Sequence, residues 1–205
     1  MAQRRRHYRK PSFGRFLFKL FTWLIVLAVV IGVIWFAVNQ LADKQEDVML
    51  TVYPTEYSEY VDVAAEKYEL DKSLIYGVIK TESGFDEDAT SRVGALGLMQ
   101  MMPETFSWLQ EYRGVEDTYT EEDLLNPEIN IDYGCYYLNY LIEYYGNEQC
   151  AVAAYNAGFV VDDWLKDSQY SIDGVTLVKI PYLETEAYVD KVFDAKVKYN
   201  QLYFK

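Results

Sequence analysis

Residues 20–38 contain no charged side chain and only Thr22 as a polar one, a run of 19 residues. That is close to the ~20 apolar residues needed to cross a bilayer core, so the run reads as a transmembrane helix. A chain carrying such a run must fold in two solvents. The charges divide accordingly: residues 1–41 hold seven of the 19 Lys and Arg and no Asp or Glu. The remainder carries 12 basic against 32 acidic side chains, a formal charge of −20. Arg4, Arg5, Arg6, Arg9 and Lys10 precede the run and should stay in the cytoplasm, with everything after Gln40 outside. Trp23 and Trp35, near the two ends of the run, suit interfacial anchoring. A cleaved signal peptide is disfavoured, because the run exceeds the ~7 to 15 residues of a typical apolar core and no small-x-small site precedes Asp43. No Cys stands where a lipoprotein requires one. The expected layout is a basic cytoplasmic tail (1–19), a single-pass membrane anchor (20–41), a linker (42–55) and an extracytoplasmic domain (56–205).

A portion at −20 after the membrane run is poorly suited to nucleic acid or an anionic lipid surface, where clustered Lys and Arg supply the affinity. No metal is implied, since the only His is His7, in the tail, and the Cys pair is poorly spaced for zinc. No nucleotide fingerprint or other cofactor signature is present. Cys135 and Cys150 flank a turn at Tyr145-Gly146-Asn147 asymmetrically, eleven residues before Gly146 and four after it. At ~1.5 Å rise per residue their heights differ too much for a disulfide, and both read as buried thiols.

The periodicity of the domain is helical almost throughout. Tyr60, Val61, Ala64, Ala65 and Tyr68 mark a helix over 57–68, and Asp71 caps another over 72–83 that carries Leu74, Ile75, Val78 and Ile79. Gly84 is the expected stop. Pro103 suits the first position of a helix to 112, and Asn126-Pro127-Glu128 opens a long one to 145. Asn147 caps the next, which Gly158 ends. Helices over 160–165 and 184–200 and a brief extended segment over 176–180 complete a mainly α domain.

The chemistry centres on Glu82-Ser83-Gly84-Phe85. Glu82 follows Ile75, Val78 and Ile79 by seven, four and three residues, so it shares their face of the helix. Desolvation there and the negative end of the helix dipole both raise a carboxyl pKa, which suits a general acid. By residue type alone, a rim Glu turned out to water fits as well. The stretch from Gly94 to Pro103 offers close backbone approach at Gly94 and Gly97, a donor and acceptor at Gln100 and an apolar wall at Met102. Turn glycines and core methionines would look the same. Ala153-Ala154-Tyr155-Asn156-Ala157-Gly158 adds small residues for tight packing, then a Tyr and an Asn.

Taken in order, the chain resembles the lytic transglycosylases built on the soluble lytic transglycosylase (SLT) catalytic domain. The resemblance spans about 57–200. It rests on Glu82-Ser83-x-Phe85, Gly94-Ala95-x-Gly97-Leu98-Met99-Gln100-x-Met102-Pro103, Asn126-Pro127-x-x-Asn130-Ile131, Ala154-Tyr155-Asn156-Ala157-Gly158 and Ile180-Pro181-Tyr182-x-Glu184-Thr185-x-x-Tyr188-Val189. It implies a mainly α, lysozyme-like fold. It also implies cleavage of the β-1,4 bond between N-acetylmuramic acid and N-acetylglucosamine in peptidoglycan, with Glu82 as acid and base. Ser91 and Tyr155 match positions that hydrogen-bond near the catalytic carboxylate, Gln100 and Met102 positions that line the saccharide groove, and Glu184 a sugar-binding position. Asn156 and Tyr188 are motif members that would hold the site. Two departures are Phe159, where the family often has Pro, and the small Gly84.

With one carboxylate, the substrate must supply the rest, whereas most glycosidases pair two at ~5 to 9.5 Å. The expected product is a 1,6-anhydro sugar. Two alternatives remain open: a muramidase-type hydrolase using Asp86 or Asp88 as the second carboxylate, and a wall-binding scaffold module. The implied partners are glycan strands, the membrane and an envelope or secretion assembly.

Overall fold

The structure is a computed structural model that describes residues 13–115 and 118–204. The basic cluster from Arg4 to Lys10, with His7, lies outside the described residues. The chain divides into two units, residues 1–52 and 53–205.

The first unit is one helix, α1 (Phe13–Val52). Its segment Gly14–Leu41 is long and apolar enough to cross a membrane. An apolar solvent leaves the backbone no partner but itself, so a continuous helix is the conformation such a run can adopt there. The segment read as a linker is helical as far as Val52.

The second unit comprises α2 (Ser58–Tyr68), α3 (Lys72–Glu82), α4 (Pro103–Tyr112), α5 (Pro127–Tyr145), α6 (Glu148–Ala157), α7 (Val161–Lys166) and α8 (Leu183–Tyr203). The starts follow the caps read from sequence. Asp71 accepts from the Ser73 N–H at 2.9 Å, Asn126 from the Glu128 N–H at 3.0 Å and Asn147 from the Cys150 N–H at 2.8 Å. Pro103 and Pro127 occupy first-turn positions, where a missing N–H costs nothing. Two features were not expected. A 3-10 turn at Glu121–Leu125 opens with a capping box in which Thr120 and Asp123 satisfy each other's backbone. Around 176–180 no strand forms among the described residues; Leu177 makes only an isolated bridge to Ser171. The loop is too tight for a ladder, because Asp173 accepts from the N–H groups of Val175 and Thr176 and the Val178 N–H turns back to Tyr170 O.

At the centre lies α3, buried on every side from Ser73 to Ile79 rather than along one stripe. Gly77 is the reason α8 can close on it. A Cβ there would meet the Val192 carbonyl oxygen at 2.8 Å. Tyr199 and Tyr203 of α8 donate to the carbonyls of Pro54 and Tyr53 at 2.9 and 2.7 Å, tying the last helix to the first residues of the unit. Asp132 of α5 accepts from Lys67, Tyr68 and Arg113 at 2.6, 2.7 and 2.8 Å, which fixes α2 and the end of α4 against α5. Cys135 and Cys150 are buried free thiols.

Candidate active site

A helix buried all round delivers its last side chain to the interior edge of the fold, and here that side chain is Glu82. The Tyr188 hydroxyl of α8 donates to Glu82 Oε1 at 2.7 Å. Burial pushes the carboxyl up to about 7, against the lowering effect of that hydrogen bond. Among the described residues no second carboxylate contributes to the shift. Asp86 instead accepts from the Asp88 N–H at 3.1 Å and Glu87 from the Tyr57 hydroxyl at 3.0 Å; all three acids are exposed. The alternative of a rim Glu solvated like any surface acid therefore loses its support. A carboxyl near 7 is protonated often enough at neutral pH to give up a proton and basic enough to take one back.

Linked to it through Tyr155 is the loop 89–102, held in shape by internal bonds. Leu96 and Met101 exchange both backbone hydrogen bonds at 3.0 Å, and the Gly97 N–H donates to Ala89 O at 2.9 Å. Gln100 adopts a left-handed backbone, φ 47, and its amide donates to Ala89 O and Gly97 O at 3.0 and 2.9 Å. That residue braces the loop with its nitrogen and leaves its oxygen as an acceptor. Ser91 Oγ accepts from the N–H groups of Val93 and Ala95 at 3.3 and 2.9 Å. Its oxygen is engaged within its own loop rather than with Glu82, and the hydroxyl proton is left to donate. Met102, half-buried, stands at the N-terminal cap of α4.

Asn130 fastens this loop to α5 and was read from the sequence only as a motif member. Fully buried, it accepts from the Met99 N–H at 2.7 Å and donates to Leu96 O and Leu124 O at 2.9 and 2.7 Å. Its signal was an amide placed on a helix face that is otherwise core. Gly97 makes the close approach possible: it sits at φ +73, and a Cβ there would lie 2.2 Å from Leu124 O.

Tyr155 brings in α6. Its hydroxyl donates to Met99 O at 2.9 Å, so it braces the loop from the other side. Its own ionisation is pushed well up by burial and by the nearby Glu82 charge. Tyr188, more fully enclosed, is raised in the same way. Asn156 accepts from the buried Thr185 hydroxyl at 2.8 Å, which couples the end of α6 to the first turn of α8. Glu184 is exposed in that same turn. Glu82, Tyr155 and Tyr188 thus form one electrostatic cluster, Gln100 shapes the loop that Tyr155 braces, and Asn156 and Glu184 lie at the α6 and α8 end.

The chain has counterparts among known proteins. The family model for the transglycosylase SLT domain matches residues 59–174. The soluble lytic murein transglycosylase of Escherichia coli is 32% identical over 196 residues, which is 93% of this chain and 29% of that protein. The membrane-bound lytic murein transglycosylase C of Histophilus somni is 34% identical over 111 residues, 50% of this chain and 31% of that protein. An inactive mutant of the lytic transglycosylase Slt from Pseudomonas aeruginosa superposes with a TM-score of 0.65 at 36% identity, covering 73% of this chain and 24% of that one. The chain thus spans less than a third of the length of these two curated relatives. With a mainly helical, lysozyme-like domain matched by the family model over more than half of its residues, the chain belongs to the transglycosylase SLT domain family.

Proposed function

We propose that this domain cleaves the glycan strands of peptidoglycan as a lytic transglycosylase, with Glu82 as both acid and base. The observation that carries the reading is a single half-buried carboxyl near pKa 7, held by Tyr188 and without a second carboxylate acting on it among the described residues. Glu82 gives its proton to the glycosidic oxygen, and the bond from that oxygen to C1 of N-acetylmuramic acid breaks. The acetamido oxygen of the same sugar closes on C1. Glu82, now a carboxylate, removes the proton of the C6 hydroxyl, and O6 displaces the acetamido oxygen to give the 1,6-anhydro ring. No water is consumed and Glu82 returns to its acid form. A paired-carboxylate mechanism needs its two groups ~5 to 9.5 Å apart, for which Asp86 and Asp88, exposed and engaged locally, are poor candidates. The inactivity of the Pseudomonas Slt mutant, made by one Glu-to-Gln change, supports an essential Glu.

Ser91, Gln100, Met102, Asn156 and Glu184 are proposed to line the glycan groove, while Tyr155 and Tyr188 hold its shape. We further propose that residues 14–41 anchor the chain in the cell membrane with its N-terminus cytoplasmic, as the basic cluster and a membrane-bound relative suggest. Glycan strands are the proposed partner, and a local envelope assembly is the proposed setting. Mass spectrometry of the products released from purified sacculi tests the reaction. Anhydro-muramic ends are expected. Reducing ends gained with water would establish the hydrolase instead, and strand binding without release would establish the scaffold module.

A further inference from the structure

Five aromatic rings form a connected stripe that the cluster around Glu82 does not use. Tyr112 and Trp108, one turn apart on α4, stack at 5.7 Å. Both meet Tyr140 of α5 edge-on, at 5.6 and 5.2 Å. Tyr140 stacks with Tyr144 at 6.3 Å, and Tyr144 meets Phe159, just beyond α6, at 5.6 Å. Trp108 and Tyr140 are partly buried, whereas Tyr112, Tyr144 and Phe159 are 60%, 53% and 43% exposed. Rings at i and i+4 on two neighbouring helices share a face, so the exposure is continuous. A linked array of half-wet rings differs from apolar side chains scattered singly over a surface, which need no explanation.

The stripe is joined to the active-site cluster. Trp108 contacts the buried Tyr137 at 6.4 Å, and Tyr137 contacts Tyr155 at 5.4 Å, the residue that braces the loop 89–102. α4, which carries Trp108 and Tyr112, has Met102 as its N-terminal cap. The stripe is flanked by acids: Glu111 and Glu143 are exposed beside it, and Asp162 accepts from the Tyr144 hydroxyl at 3.0 Å. That bond orients the Tyr144 ring and leaves acceptor sites on the Asp162 carboxylate. Acid flanks on a domain of charge −18 repel anionic headgroups and polyanions. An occupant must instead offer apolar C–H faces to the rings and hydroxyl donors to the carboxylates. A saccharide chain has both.

We propose that Tyr112, Trp108, Tyr140, Tyr144 and Phe159 form a stacking track that carries the glycan strand beyond the cleavage site. The track binds sugar rings remote from the scissile bond and so sets affinity for long strands rather than the chemical step. It rests on the glycan-cleaving reading above and extends it. Tyr and Trp suit the task because they offer wide, rigid, amphipathic surfaces with little rotamer entropy to lose. Phe159, a departure from the family pattern, would add the terminal ring of the track.

The test uses the full-length chain in detergent. With long glycan strands as substrate, the Tyr112→Ala/Tyr144→Ala double variant should raise KM about tenfold, equivalent to ~1.4 kcal/mol of binding, with a much smaller change in kcat. Val197→Ala, an exposed position on α8, should leave both constants unchanged. An unchanged KM in the double variant overturns the track. A second readout guards against altered folding: strands added to Glu82→Gln should change its fluorescence, and the change should vanish in Glu82→Gln/Trp108→Phe. Equal signals in those two proteins also overturn it. If the wild type releases nothing from sacculi, the cleavage reading falls while co-sedimentation of Glu82→Gln with sacculi still decides the track. Retention lost on adding the two Tyr→Ala changes supports it, and undiminished retention overturns it.

Discussion

The Tyr188 hydroxyl reaches from α8 to Glu82 at the end of α3, bridging 106 positions of sequence with one 2.7 Å hydrogen bond. It opposes the effect of burial: desolvation raises the carboxyl and the phenol draws it partly back. Tyr188→Phe should therefore raise the Glu82 pKa further. The alkaline limb of the kcat/KM profile should move to higher pH, while kcat falls about tenfold, the order expected for one charge-assisted hydrogen bond. An unmoved limb would separate Tyr188 from the proton inventory of the site.

If Glu82 alone is acid and then base, only its protonated form starts a turnover. Activity of the wild type should be level at low pH and fall as pH rises through about 7. A paired carboxylate would add an acidic limb near pH 4. The measurement is kcat/KM against pH in buffers of constant ionic strength.

The same carboxyl burdens the fold at high pH. Below its ordinary value of 4.5 it is protonated in folded and unfolded chains alike. Between 4.5 and about 7 the unfolded chain loses the proton while the folded one keeps it, so stability falls across that window. The loss amounts to at most about 3 kcal/mol. Glu82→Gln should recover up to that amount at pH 8 and nothing at pH 4, as urea unfolding at the two pH values would read.

Asn130→Ala should remove three hydrogen bonds and strand the Met99 N–H together with the Leu96 and Leu124 carbonyls. A loss of about 3 kcal/mol is expected. Activity should fall further than unfolding explains, because the loop that Gln100 shapes loses its attachment to α5.

Gly77→Ala places a methyl 2.8 Å from a backbone oxygen that no side-chain rotation can move. Despite alanine's better helix propensity, a net destabilisation of about 1 to 2 kcal/mol is expected. Displacing α8 also displaces Tyr188, so the altered pH profile described for Tyr188→Phe should appear here in milder form.

Much of the helical layout was legible because its signals are local. Asp71, Asn126 and Asn147 cap with their own side chains, and Pro103 and Pro127 mark first turns by lacking an N–H. The apolar face below Glu82 gave the direction of its pKa shift. What stayed hidden depends on partners distant in sequence. Nothing near Asn130 announces that it holds residues 96, 99 and 124, nor does Gln100 reveal that its amide folds back on its own loop. The expected extended segment at 176–180 fails for a short-range reason: Asp173 closes the loop before a ladder can start.

The bonds from Tyr199 and Tyr203 to Pro54 and Tyr53 have a mechanical consequence. A pull on the domain at residue 53 is met at once by α8, before it can reach α2. Tension is borne as shear along the helix that also holds Tyr188 against Glu82. The first residues of the domain are thus held by the same helix that presents Tyr188 to Glu82, and a load at residue 53 bears on both.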